Sequence, residues 1–429
     1  MDHAIAAVSG LVKPMLITGT SRHEEHYERA RYLFYCDRRP HSLALIKAAM
    51  ILCCYDTSSL RCPTDSGFWW LGAAIRLAQD MRLHRAARSS VLAPDAGLHR
   101  RIWWTLFARE RIAALCQGRP CSIAEEDCTL GRVQLIDFPV AHDRQARIFI
   151  HWVDLCRIMG LVQKQMLSAR ENRQAFSMQE MAIMLLSWLD SLPQDLRLSI
   201  ADAHTAPFSR DVHILHLPYL TTIALICQIG MGDDSFPIPG GAPMAAACTA
   251  RIARDLLLRG LAHTLPEDCG WYVSIAIVAL LHVPPSTWFA GQVEDELRVL
   301  RATLEQLGKT FSSSRLLAAG LDKLLNDRSR AAAAGHESIR SSVHQLPTPQ
   351  SVFSLQTREE SQGRGTPDEF SWPMLLRSAS ADTNPLMAAL LVDGSKPPSD
   401  EPWDTTGDQF KSLWDDLVAD EVRVSGEFY

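Results

Sequence analysis

Imidazole and carboxylate meet first at His23-Glu24-Glu25-His26. Zinc-protease chemistry requires HExxH, with two histidines four apart on one helix face. These two are three apart, so the pattern reads as a solvated first helical turn. Thiols are the second group with reactive chemistry: eleven cysteines stand at 36, 53, 54, 62, 116, 121, 128, 156, 227, 248 and 269. They are odd in number and scattered, and many fall inside apolar helical patterns. That points to buried, reduced thiols in an intracellular, reducing compartment rather than a disulfide frame. Cys53, Cys54 and Cys62 do not make the paired CxxC groups of a zinc cluster, and no basic run accompanies them. FPIPGGAP at 236–243 has glycines but neither the lysine nor the preceding strand of a phosphate-binding loop, so it is expected to be a plain loop. No GxSxG, GxGxxG or GKS/GKT pattern occurs. No catalytic residue, metal ligand or cofactor is assigned, and the chain is expected not to be an enzyme.

One carboxylate stands apart from its surroundings. Glu110 projects from an otherwise apolar helical stripe. An unpaired buried carboxylate is very costly, so an arginine partner is expected, Arg76 or Arg119. The functional alternative is a polar anchor in an effector pocket.

The elements that position these residues are helices. Phe68, Leu71, Ile75, Ala78 and Met81 recur every three or four residues, and Ile102, Trp103, Leu106, Phe107, Ala113 and Ala114 form a second stripe. Arg100, Arg101, Arg109 and Arg111 are expected on the solvated flank of that second helix. Gly118 followed by Pro120 marks its stop. Ser122 and Glu125 have capping-box spacing for a new turn starting at Ile123. Helices are expected upstream at 24–37 and 43–55. Downstream, one runs along Ile148, Trp152, Leu155, Met159, Val162 and Met166, and another from Met178 to Pro193. Further helices are expected at 212–227, 245–261, 272–281, 293–307 and 316–325, with a kink or a late helix start at Pro218. No alternating strand pattern is convincing anywhere, so the fold class is all-α.

Charge and composition narrow the function. Net charge is −6 with a pI near 6.2, the wrong sign for a chain that grips phosphates over its surface. Apolar residues make up 47 % and charged residues 21 %, which supports a packed core. No apolar run reaches the length of a membrane span, and no signal peptide is read at the N-terminus. The organisation is a helical domain at 1–326, a Ser/Arg/Gln-rich linker expected to be disordered at 327–382, and an acidic tail at 383–429. A short apolar helix is expected at 385–392. In the tail, Phe410, Leu413, Trp414 and Leu417 make an apolar helical stripe flanked by acids, the composition of activation segments that fold on a coactivator groove. A terminal helix docking on its own domain is the competing reading.

Trp69, Trp70, Gly72, Ala74, Arg76, Ala78, Leu83, His84 and Arg85, followed by Arg101, Trp103, Trp104, Gly118, Arg119, Pro120 and the acidic turn Glu125 to Asp127, resemble the fungal-specific transcription factor domain. That domain is the regulatory region of Zn2Cys6 fungal regulators, and the flavour is nearest the subgroup that includes the cutinase-gene activators. The WW pair followed by GRP carries most of the specificity. The resemblance extends more thinly over Tyr27 to Leu325. The family commonly has aspartate where Glu110 stands, and typically reads LGLHR where this chain has Arg82. Arginine at positive φ costs about 1 kcal/mol, so the helix is expected to run on to His84, with His84 as a C-terminal cap.

The resemblance implies a nuclear transcription regulator of a metabolic or secondary-metabolite gene set. DNA would be reached only through a partner or a missing N-terminal module. The family's zinc cluster and coiled coil lie upstream of the residues matched, so a truncated, partner-dependent or decoy form is expected. Partners implied are a coactivator or another transcription factor, with a small-molecule effector possible and no membrane. The rival reading is a helical small-molecule-binding protein or enzyme whose site residues are dispersed. It predicts a pocket with converging polar groups having perturbed pKa values, and a closed apolar interior around Trp103 and Trp104 counts against it.

Overall fold

A computed structural model describes residues 21–37, 43–55, 66–86, 95–140, 143–172, 178–198, 208–229, 241–281, 283, 290–323 and 325. All regular structure among the described residues is helical. The helices are α1 (Ser21–Cys36), α2 (Leu43–Leu52), α3 (Gly67–Asp80), α4 (Ala96–Cys116), α5 (Arg144–Asn172), α6 (Met178–Ser191), α7 (Arg210–Ile229), α8 (Gly241–Leu258), α9 (Cys269–Leu281) and α10 (Ala290–Gly308). A last helical stretch covers 312–323. The activation-tail stripe, the linker, the helix expected at 385–392 and the side chain of His23 lie outside the described residues.

Neighbours in sequence mostly pack together: α2 on α3, α3 on α4, α4 on α5, α7 on α8, α8 on α9 and α9 on α10. Alpha-helix α5 also meets α7, and α7 meets α9, which closes the chain on itself. A single apolar cluster runs from Tyr27 to Leu321. Its interior helix is α9, buried along its whole length from Cys269 to Leu280. A helix with no polar face is stable only when surrounded, and here α7, α8 and α10 surround it.

Three helix ends share one device. At the end of α4, Gly118 takes φ 64°. Its N–H reaches the Leu115 carbonyl at 3.4 Å, and the Arg119 N–H reaches that of Ala114 at 2.9 Å. This is a Schellman motif, in which a left-handed residue satisfies the last orphan carbonyls. Gly260 closes α8 the same way, with Leu261 N–H on the Leu256 carbonyl at 2.8 Å.

The third case corrects an expectation. Helix α3 does not run on to His84: it stops at Asp80, and Arg82 itself adopts φ 58°. The Leu83 N–H bonds the Ala78 carbonyl and the Arg82 N–H that of Gln79, both at 2.9 Å. Burial of Leu83 against the core, together with these bonds, outweighs the backbone strain of an arginine in a glycine conformation.

Other expectations are also corrected. The four arginines of α4 do not form a solvated flank. Arg100 pairs with Asp137, Arg101 bonds the Asp137 carbonyl, Arg109 reaches Cys54 and Arg111 is buried. Ser122 caps nothing; the next turn is the 3-10 segment Glu125–Asp127, with Ala124 before it and no side-chain cap. Helix α7 begins eight residues before Pro218 and runs through it, so there is no late start. Thr221 and Thr222 donate to the Leu217 and Pro218 carbonyls there. The last residues of FPIPGGAP, Gly241 to Pro243, are the first turn of α8 rather than loop.

Candidate functional site

The motif residues are mostly interior. Trp70 and Trp103 are fully buried and Trp104 nearly so. The Trp70 indole donates to the Tyr27 hydroxyl at 3.0 Å, tying α3 to α1, and the Trp104 indole donates to the Gly131 carbonyl at 3.0 Å. Trp69 differs: it is 44 % exposed and donates to the Tyr35 hydroxyl at 3.1 Å. Gly72 lies on the exposed face of α3 with open space where a Cβ would stand. Arg76 bonds only Gln79, one turn on. Leu83 is core, and Pro120 is exposed after the α4 stop.

His84 is not a helix cap. Its ring lies 5.4 Å from that of Trp103, and its Nε2 accepts from Arg85 Nε at 3.1 Å. Desolvation, with the charge of Arg85 beside it, lowers its pKa and favours the neutral ring.

Glu110 has a partner, but neither of those expected. It pairs with its neighbour Arg111 at 2.9 Å and accepts the Ser122 N–H. Arg111 also donates to the Ile123 carbonyl at 2.7 Å. Arg119 instead lies over the Phe68 ring at 4.4 Å. Gly160 on α5 leaves room for Arg111: a Cβ there would overlap its Cδ and Nε. The glycine notch therefore seats the arginine that holds the GRP turn on α4. Burial pushes the Glu110 carboxyl up, while Arg111 and the Ser122 N–H pull it back. The group ties α4 to the turn after GRP, and neither Glu110 nor Arg111 lines the cavity described next.

A cavity of about 530 Å³ opens instead between α4, α5, α7 and the start of α9. Phe138, Phe149 and Trp152 form an aromatic wall, with ring centroids 5.7 Å apart in each successive pair. Ile214, Leu215 and Pro218 of α7 face it, and Tyr272 of α9 closes the inner end. Pro218 has no N–H to offer the Ile214 carbonyl, so this wall carries an interrupted helical ladder.

Thr105 and Asp143 also line the cavity, Thr105 donating to the Arg101 carbonyl at 2.7 Å and Asp143 accepting the Gln145 N–H at 3.0 Å; the other polar groups divide in two. Arg210, Asp211 and Gln145 satisfy one another: Arg210 pairs with Asp211 at 2.8 Å and donates to Thr264, and Gln145 donates to Asp211 at 2.7 Å. Arg109 and Asp268 are different. Arg109 donates to the Cys54 sulfur at 3.1 Å, and Cys53 and Cys54 chiefly raise its pKa, with Asp268 and Glu267 adding less. Among the described residues these two opposite charges do not close an ion pair. The rival reading's cavity with converging polar groups is therefore present, while the interior around Trp103 and Trp104 is closed. None of Arg109, Asp268 or Trp152 was assigned to a site from sequence. The available signals were the Thr105/Arg109 pair, four apart on an apolar helix, and the proline inside α7.

Six of the described cysteines are poor nucleophiles. Cys53, Cys116, Cys156, Cys227, Cys248 and Cys269 are buried, and burial raises every one of these thiols, Cys227 and Cys248 to about 12. Among the described residues no His, Cys, Asp or Glu group of metal-binding size converges, and no helix is long and apolar enough to cross a membrane.

Fold and cavity together make this, among the described residues, an all-α scaffold with a half-open amphipathic cavity. Residues 11–196 match the model of the fungal specific transcription factor domain. It is 25 % identical over 333 residues to cutinase transcription factor 1 alpha of Fusarium vanettenii, covering 70 % of this chain and 35 % of the relative. It is 28 % identical over 228 residues to the acetamidase regulatory protein of Aspergillus fumigatus, covering 52 % and 29 %. Cutinase transcription factor 1 beta of Fusarium vanettenii is 32 % identical over 127 residues, 29 % of this chain and 14 % of that protein. The chain thus spans about a third of the length of the first two relatives. No solved structure matches.

Proposed function

We propose that this protein regulates transcription of a metabolic or secondary-metabolite gene set in the nucleus, through an effector-responsive helical scaffold and not through catalysis. The match of residues 11–196 to the fungal specific transcription factor domain carries the reading. Relatives named as cutinase and acetamidase regulators support metabolic genes as the target. The chain is net acidic, so DNA contact is assigned to a module outside residues 21–325, on a partner or elsewhere in the protein. The acidic segment 383–429 is assigned to coactivator binding through Phe410, Leu413, Trp414 and Leu417.

A reporter driven by the full chain fused to a borrowed DNA-binding domain tests this. Activation, lost when Trp414 and Leu417 are both replaced by alanine, is the expected result. An inert fusion of both the full chain and 383–429 would remove the activation assignment. Exclusion of the tagged chain from nuclei would remove the localisation.

A further inference from the structure

We propose that the cavity between α4, α5, α7 and α9 binds a zwitterion with a large apolar body, of the class of an aromatic or branched α-amino acid. Its carboxylate would sit on Arg109 and its ammonium on Asp268. The proposal deepens the effector-responsive reading above and rests on it for its biological meaning.

The volume, about 530 Å³, falls in the usual range of small-molecule sites, about 300–1,000 Å³. Its walls are chiefly apolar, with Phe149 and Trp152 able to sandwich or edge a flat or branched side chain. The charged groups decide the head of the ligand. Arg210, Asp211 and Gln145 already satisfy each other and ask for nothing. Arg109 and Asp268 both line the cavity, and among the described residues no ion pair joins them.

Filling such a gap with an acid alone would leave the Asp268 carboxylate desolvated beside a second carboxylate. An amine alone would do the same to Arg109. Each leaves an uncompensated charge in a drying cavity, which is the expensive outcome. A head bearing both charges pairs both walls at once. The Thr105 hydroxyl also lines the cavity, but its hydrogen is already donated to the Arg101 carbonyl at 2.7 Å, so it offers the head only an acceptor.

The probes are L-phenylalanine and L-tryptophan, with 2-phenylethylamine and 3-phenylpropionate as half-heads, titrated calorimetrically into the purified full-length chain. Saturable binding of at least one amino acid is expected, with each half-head weaker by about tenfold or more, the loss of one charge-assisted contact. Asp268→Asn should weaken the amino acid while leaving 3-phenylpropionate unchanged or tighter. Ile214→Trp, which fills the cavity, should abolish binding with the helical circular dichroism intact. Arg109→Gln should weaken the amino acid and spare the amine; because Arg109 also holds Cys54, Asp268→Asn decides the matter if that variant does not fold. The proposal is overturned by no saturable binding of either amino acid to a folded chain, by 3-phenylpropionate binding as tightly as the amino acid, or by an Asp268→Asn variant with unchanged affinity. Binding is read without a reporter, so a bound but transcriptionally silent chain would overturn the regulatory reading alone.

Discussion

Replacing Arg82 with glycine should stabilise the protein. Arg82 occupies the left-handed position of a Schellman end at φ 58°, where a Cβ costs about 1–2 kcal/mol. Its side chain is exposed, and the two bonds that close the motif come from the backbone, so glycine retains them. Against this, glycine gives the unfolded chain more freedom, worth about 0.4–1 kcal/mol. The net expectation for Arg82→Gly is a gain of roughly 0.5–1 kcal/mol. For a helical domain of this size that is a rise of about 1–3 °C in Tm. Arg82→Ala keeps the Cβ and should gain nothing. Urea denaturation of the two variants and the parent, followed by far-ultraviolet circular dichroism, measures both. Equal midpoints for the glycine and alanine variants would refute the expected gain, because relief of the strain, about 1–2 kcal/mol, should outweigh the freedom glycine gives the unfolded chain, about 0.4–1 kcal/mol.

Gly160→Ala should be among the most damaging small substitutions, since the added methyl overlaps Arg111, which is fixed by Glu110 and the Ile123 carbonyl; a loss of about 3 kcal/mol is expected in the same melts. Glu110→Ala leaves Arg111 buried and uncompensated and should cost about 3–5 kcal/mol, with Glu110→Gln milder because the Ser122 N–H keeps an acceptor. Acid should unfold the protein partly through His216. That imidazole is buried, donates from Nδ1 to the Val212 carbonyl at 2.9 Å and accepts the Leu198 N–H on Nε2 at 3.4 Å, so both nitrogens are used by the neutral ring. Desolvation holds its pKa down to about 4, below the unfolded value of 6.5. The folded pKa is depressed, so the contribution is complete above pH 6.5 and is lost as pH falls towards 4, on the order of 3 kcal/mol. His213, also lowered by burial, titrates in the same direction. A urea midpoint with the same pH slope in His216→Gln as in the parent would contradict this.

What could be read from sequence was whatever depends on periodicity and on glycine. The stripes of α3 and α4, the stop at Gly118 and the all-helical class follow from spacing alone, because one face of each helix must be apolar and a left-handed glycine ends it. What escaped depends on which residues meet. Arg109 and Arg111 are the same residue type on opposite sides of one helix and are both expected from sequence on a solvated flank, yet one lines a cavity and the other fills a notch made by Gly160, 49 positions further on. Arg82 escaped for a different reason. Its local cost is real, and tertiary burial of Leu83 overrides it. Asp268 carried no motif at all; only the fold brings it opposite Arg109.

The burial of α9 bears on how the protein is made. The family match stops at residue 196, but the apolar cluster continues to Leu321, and α9 lies in its middle against α7, α8 and α10. The segment matched by the family model is therefore shorter than the unit that folds, while the similarity to cutinase transcription factor 1 alpha, over 70 % of the chain, reaches beyond it. A ribosome that has released residues up to 196 has delivered α4 and α5 without the helices that cover them. Until α9 emerges, their inner faces stay open to water, a long window in which a chaperone, or aggregation, competes for the nascent chain.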